Sequence, residues 1–379
     1  MRYINLAGYI AIPIAFAVHF WLGKGQSWEP TATFILAALG VIPLAHLMGE
    51  STEHLSERTG PTLGGLLNAT FGNAAELIIA IIALTKGLNE IVKASLTGSI
   101  LGNLLLVGGA AMVAGGWKRE NQTFSKYNAE SATGLLLLAV AAMLFPAIFH
   151  FSYKLTDPHL VEHEHRVSMG TSVILLAVYG LGLLFTLRTH AHIFSAQPRH
   201  DIEEPHGLEA HETWSVKKSI TMLLIAAAGV GLVAELLVGS AETMAAKLGW
   251  NHIFVGIIVL AIIGNAAEHS TAIMVARKND MDTAMTIVNQ SSLQIALFVT
   301  PFLVLLSAGF VAMEMPHAHH LDLLFTPMEV VAVLICVLIV AFLGINGETN
   351  WFEGVLLLAL YAVLGIVFFY IPSEPAAAH

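Results

Sequence analysis

Charge is scarce in this sequence: Asp, Glu, Lys and Arg make up 12% of its 379 residues, against 56% hydrophobic. A soluble domain carries about 25% charged residues because its surface meets water, so lipid must cover much of this one. Cysteine is scarcer still. The single thiol, Cys336, excludes an intramolecular disulfide and any cysteine-built metal cluster, and its place in VVAVLICVLIVAFL gives it a packing role. Basic charge is in deficit. The net charge is −10 with His neutral, which argues against nucleic acid, whose phosphates demand a basic surface. No HExxH, Cys/His ligand set or GxSxG occurs, so nothing points to a metalloenzyme or a hydrolase, and the chain is read as no enzyme. Period-two alternation is lacking, which argues against a β-barrel. The N-terminal MRYINLAGYIAIPIAFAVHFWLG has no small-residue cleavage site after its apolar stretch, so it reads as a retained spanning helix.

What is abundant is long apolar runs. A spanning helix needs about 20 mostly apolar residues, and eleven such runs lie near 4–22, 31–50, 62–86, 90–115, 129–151, 168–188, 217–244, 251–276, 283–309, 325–344 and 351–371. The expected fold is an all-α polytopic membrane protein of eleven transmembrane helices. With the N-terminus in the cytoplasm, eleven Lys and Arg fall in cytoplasmic segments and six on the other side. This bias places the N-terminus inside and the C-terminus outside. A short N-terminus without a regulatory tail suits a prokaryotic inner membrane.

The chain also repeats itself. GNAAE stands at 72–76 and again at 264–268, 192 residues later. The same offset holds without a gap from Gly64/Gly256 through Ala80/Ala272, Lys86/Lys278, Ser99/Ser291 and Leu105/Leu297 to Val107/Val299. Five helices separate the copies, so they cross the membrane in opposite directions. Inverted repeats of this kind build secondary transporters, with substrate near the midplane between the halves. The expected division is an extra N-terminal helix (1–28), a first five-helix repeat (29–188), an acidic, His-rich cytoplasmic linker (189–215) and a second five-helix repeat (216–379).

Glu76 and Glu268 lie well inside apolar spans, where an ionisable group costs several kcal/mol and is a functional candidate by default. Asn73 and Asn265 precede them by three residues, close to one helical turn, and so share their face. Gly72 and Gly264 allow a local break that frees carbonyls as ligands. Two inverted copies can bring two carboxylates and two amide oxygens together, a hard-oxygen site of charge near −2 suited to Ca2+ rather than to soft metals. The same carboxylates can bind protons when the metal leaves, and one site serving either ion in turn gives antiport. The alternative for both acids is protonated packing.

The helix after each motif adds Ser99 and Asn103 in the first half and Ser291, Ser292 and Gln294 in the second, all candidates for the site rim. Small hydroxyl residues also pack helices. Glu235, Glu242 and Glu53 are candidates for a gate or proton pathway. His269, directly after Glu268, has no counterpart in the other repeat, where Leu77 stands, and is placed to tune proton affinity or to serve as a satisfied interhelical histidine. Glu130 and Glu329 open helices, where a carboxylate suits the helix N-terminus. The remaining histidines cluster in VEHEHR, MPHAHHLD and the central linker, as metal ligands, pH sensors or plain solvated loops.

At GGLLNATFGNAAELIIAIIAL, GSILGNLLLVGG, IIGNAAEHSTAIMVARKNDMDTA and QSSLQIALFVTPFLVL the chain resembles the Ca2+/H+ antiporter (cation/proton exchanger) branch of the cation/Ca2+ exchanger superfamily. The resemblance implies one extra helix before two inverted five-helix repeats. It implies metal binding by Glu76 and Glu268 with Asn73 and Asn265, and an acidic segment between helices six and seven, here DIEEPHGLEAHE. The expected function is alternating-access exchange of Ca2+ for H+ in a lipid bilayer, with no resident cofactor. The sequence leaves a homo-oligomer open. A Na+-coupled or broader-specificity exchanger (Mn2+, Na+ or K+) is the alternative, ahead of a cation channel.

Overall fold

The computed structural model describes residues 2–152, 159–190 and 214–372 of the chain. The apolar runs wind into helices because lipid offers the backbone no other hydrogen-bonding partner. In chain order these are α1 (Asn5–Leu22), α2 (Glu29–Phe71), α3 (Ala74–Thr85), α4 (Asn89–Gly116), α5 (Lys126–Ser152), α6 (Leu160–Thr189), α7 (Val216–Leu248), α8 (His252–Gly264), α9 (Ala266–Arg277), α10 (Met281–Ala312), α11 (Pro327–Gly344) and α12 (Trp351–Phe369). Among the described residues, nine helices are long and apolar enough to cross a membrane, or ten when α8 and α9 count as one bent span. The expected eleven is not reached by this measure, and the shortfall lies at 62–86. There the helix ends at Phe71 and resumes at Ala74, leaving only the short apolar α3 unbroken.

The 43 residues of α2 are not one rod. Eight residues of straight helix rise about 12 Å, yet the Ser56 hydroxyl donates to the Gly64 carbonyl at 3.0 Å. The winding therefore folds back around SERTGP (56–61), in the gap between the apolar runs 31–50 and 62–86. VEHEHR behaves differently from its expectation as a loop. It forms the first turns of α6, which starts at Leu160 rather than near 168. Glu162 suits the N-terminal turn and pairs with Arg166 one turn on at 2.5 Å.

The core sits around α4, where 83% of the apolar window is buried, against 11% for α6 at the rim. All six tryptophans stand at or just beyond helix ends, the places that meet the membrane–water interface. Trp117 and Trp351 touch edge-on at 5.9 Å. Beside them a two-residue ladder, β1 (Gln122–Thr123) with β2 (Glu348–Thr349), ties the α4–α5 loop to the α11–α12 loop. Lys247 donates to the Ser27 carbonyl and so joins the α7 end to the α1–α2 loop.

Between α10 and α11 the chain runs extended, with Leu321, Leu323 and Phe325 pointing inward at alternate positions. Its backbone is satisfied by side chains. Leu321 N–H donates to Ser307 (2.8 Å), Leu323 N–H to Ser168 (3.1 Å), and the His320 carbonyl accepts from Asn89 (3.1 Å). Non-helical backbone in a membrane protein persists only where protein satisfies it in this way.

Candidate ion-binding site

Both GNAAE motifs interrupt a helix at their asparagine. Asn73 has φ −102° and ψ 31°, and Asn265 has φ −91° and ψ 8°. The second break bends α8 against α9 by 60°. The offset of 192 seen in the sequence carries into the backbone. α3 and α9 each run 12 residues from the break. Each is followed, two residues past its end, by a left-handed residue, Gly87 (φ 75°) or Asn279 (φ 69°).

The breaks allow the two motifs to meet. Asn73 Nδ2 donates to Gln294 Oε1 at 2.8 Å, and Ser291 Oγ donates to Asn73 Oδ1 at 2.9 Å. In the other half Asn265 Nδ2 donates to Ser99 Oγ at 2.9 Å, the same pairing with the halves exchanged. Asn103 joins the two sets, donating to Ser291 Oγ at 2.8 Å and Asn265 Oδ1 at 3.3 Å. Glu268 Oε2 lies 3.3 Å from the Ser291 hydroxyl. The carboxyl groups of Glu76 and Glu268 lie close enough to act on each other, a placement that suits a shared proton or a cation between them. Glu76 Oε1 is buried without a hydrogen-bond partner among the described residues, so an acceptor is left for such a load. Gly264 lets Glu76 close in, since a Cβ there would lie 3.2 Å from Glu76 Cγ. At Gly72 a Cβ would lie 3.2 Å from Gln294 Oε1.

Of the expected site residues, Glu76, Glu268, Asn73, Asn265, Ser99, Ser291, Gln294 and Asn103 therefore form one contact network, with Gly72 and Gly264 at its breaks. Ser292 is adjacent, but its hydroxyl donates to its own helix at the Val288 carbonyl (2.9 Å). His269 is largely buried, and its Nε2 has no hydrogen-bond partner among the described residues. Glu53, Glu235 and Glu242 are exposed and stand apart from the network. Glu235 pairs with Lys86 at 2.5 Å, a partner that the sequence did not single out, because nothing local links the two. Glu329 closes a capping box with Thr326, as its helix-end position predicts.

The histidine loops give no metal cluster: no group of three His, Cys, Asp or Glu among the described residues is placed to hold a metal. The rings of His165 and His320 meet tilted at 44°, with centroids 4.0 Å apart. Burial, together with His165, holds His320 below the ordinary histidine value. The central linker, with His192, His200, His206, His211 and the acidic DIEEPHGLEAHE, lies outside the described residues.

Comparison with known proteins adds to this geometry. A protein of Synechocystis sp. described as a Ca(2+)/H(+) antiporter is 43% identical, covering 98% of both chains. The Ca(2+)/H(+) antiporter ChaA of Bacillus subtilis is 41% identical over 92% of this chain and 95% of its own. The solved structure of native YfkE superposes with a TM-score of 0.78 at 36% identity, covering 97% of this chain and 100% of that one. Two broken helices meeting at facing carboxyls, on a chain whose residues 29–188 and 218–370 match the sodium/calcium exchanger protein family, mark it as a member of that family and an integral membrane protein.

Proposed function

We propose that the chain exchanges Ca2+ for H+ by alternating access, with Glu76 and Glu268 carrying either ion in turn. The observation that carries this reading is the closeness of the two carboxyls inside a network built from the matching Asn–Ser pairs of both halves. Relatives at 41–43% identity that are described as Ca2+/H+ antiporters support the choice of ions. A carboxylate pair with amide and hydroxyl oxygens suits a hard dication. Asn73, Asn265, Ser99, Ser291, Asn103 and Gln294 hold the acids in place rather than adding charge.

Coupling follows from electrostatics. One Ca2+ or two protons each neutralise the pair, so either load can pass between access states. Two bare carboxylates in contact repel strongly in a weakly polar interior, so the unloaded site resists the passage and exchange becomes obligatory. The halves that rock or slide are residues 29–188 and 216–379, joined by the linker at 189–215, with 1–28 as an added helix. On this reading the broken segment at 62–86 serves as the eleventh span. The bias of Lys and Arg favours a cytoplasmic N-terminus. Exposed Glu53, Glu235 and Glu242 belong to the ion path or its gates, and His269 tunes the site.

The test is ion flux in proteoliposomes under an imposed proton gradient, with Ca2+, Mn2+ and Na+ added in turn. Proton-driven Ca2+ uptake is expected in the wild type and its abolition in Glu76→Gln and in Glu268→Gln. Uptake that needs a Na+ gradient would move the coupling to sodium. Uptake that survives both substitutions would place the site elsewhere.

A further inference from the structure

One more acid is buried in the bundle without a task in this exchange. Glu329 is 3% exposed. Its Oε2 accepts from Thr326 N–H at 2.9 Å and from the Thr326 hydroxyl at 2.8 Å, which is the whole of its capping work. Oε1 is buried and meets no partner in hydrogen-bonding geometry among the described residues. The carboxyl lines a cavity of about 20 Å³ with Thr97, Ile100, Val140, Met143 and Phe325, and the Thr97 hydroxyl faces it. One water needs roughly 10–15 Å³ and at least two polar partners. Glu329 and Thr97 are the two polar residues that line the cavity.

The charges around the cavity say what it holds. Lys93 on α4 is near enough to act on Glu329 electrostatically. Its ammonium donates to Asp322 at 3.0 Å and to the Leu324 carbonyl at 3.1 Å. From α5 only apolar Val140, Met143 and Leu144 face the cavity, and from α11 Val330 and Val333. A single carboxylate beside an ammonium is a poor cage for a metal ion but suits a water and a proton. Asp322 is 33% exposed and Lys93 15%, so this pair leads from solvent toward the cavity. Thr97 stands two residues from Ser99 on α4, the helix that also carries Asn103.

We propose that Glu329, with Thr97 and one bound water, is a second proton-binding group of the exchanger, loaded from the side that Asp322 faces. The inference rests on the exchange reading above. The carboxylate takes one proton from solvent through the water and becomes the neutral acid, and the reverse step returns it. Neutralised, Glu329 no longer attracts Lys93, and the change is delivered to α4.

The experiment is Ca2+ uptake by the reconstituted full chain as a function of pH on the Asp322 side, with an infrared pH titration of carboxyl groups in the same samples. Glu329→Gln keeps an oxygen for the Thr326 cap, and Thr97→Val keeps the shape while removing the hydroxyl. Expected for Glu329→Gln are a roughly tenfold slower exchange, a flattened pH profile, an unchanged half-saturating Ca2+ concentration and the loss of one titrating carboxyl band. Thr97→Val should shift the pH profile in the same direction by less. A Glu329→Gln profile that overlays the wild type, with no band lost, overturns the proposal and leaves Glu329 a helix cap. If Glu329→Gln does not fold, Thr97→Val decides by the same two readouts. A wild type without proton-driven uptake would refute the exchange reading instead, and the infrared titration would then decide this one.

Discussion

Ser291 shows how one side chain links the two motifs. Its hydroxyl accepts from Asn103 and has a single proton to offer, with Asn73 Oδ1 at 2.9 Å and Glu268 Oε2 at 3.3 Å as the two takers. A charged Glu268 draws that proton more strongly than a neutral one, because hydrogen bonds to ionised groups are the stronger kind. Ser99, its repeat mate, accepts from Asn265, and no bond from it to a carboxylate is seen among the described residues. Ser291→Ala should therefore lower apparent Ca2+ affinity roughly tenfold, the equivalent of about 1.4 kcal/mol. Ser99→Ala should lower it less. The Ca2+ dependence of flux at fixed pH measures both, and equal effects would show that the contact with Glu268 contributes nothing. At this scale the sequence was informative, since Glu, Asn and Ser at matching positions in two apolar repeats name the polar groups. It could not say that Ser292, one residue on, would spend its hydroxyl on its own helix, because facing is set by the neighbouring helices.

Among the elements, α4 and α8 pack tightly. Gly98 lies directly against the backbone of Ile257, and a Cβ there would overlap it. Gly98→Ala should destabilise the fold by about 1–3 kcal/mol through overpacking, seen as a lower melting temperature in detergent. Gly134→Ala on α5, where a Cβ meets nothing within 4 Å, is the control and should be neutral or slightly stabilising. A matching drop at both positions would show that the close contact with Ile257 is not what decides, since helix propensity alone favours Ala over Gly at either site. The offset of 192 anticipated the paired breaks, because Gly and Asn are locally tolerant of non-helical backbone. The early start of α6 at Leu160 was not anticipated. A hydropathy run ends where the polar residues begin, whereas the helix continues on its own hydrogen bonds and the Glu162–Arg166 pair.

For the molecule as a whole, exchange requires the halves to move, and Lys86–Glu235 joins them from the end of α3 to α7 at 2.5 Å. Both side chains are partly exposed, so the pair is worth at most about 1 kcal/mol of stability but bears directly on the balance between access states. Lys86→Glu and Glu235→Lys alone should each slow Ca2+ flux up to roughly fivefold, and the doubly exchanged variant should recover most of the rate. Additive losses in that cycle would show that the pair does not act as a unit. Much of this molecule is decided by local and periodic features that the sequence displays openly. Long apolar runs demand helices, tryptophans settle at their ends, and two matching motifs mark a duplicated, oppositely running architecture with acids at its heart. The tertiary structure alone decided which side chains meet. The Asn73–Ser291 and Asn265–Ser99 pairs, the facing Glu76 and Glu268, the buried oxygen of Glu329 beside Thr97, and the Lys86–Glu235 bridge all join residues far apart in the chain. Their geometry exists only once the helices have broken, folded back and packed.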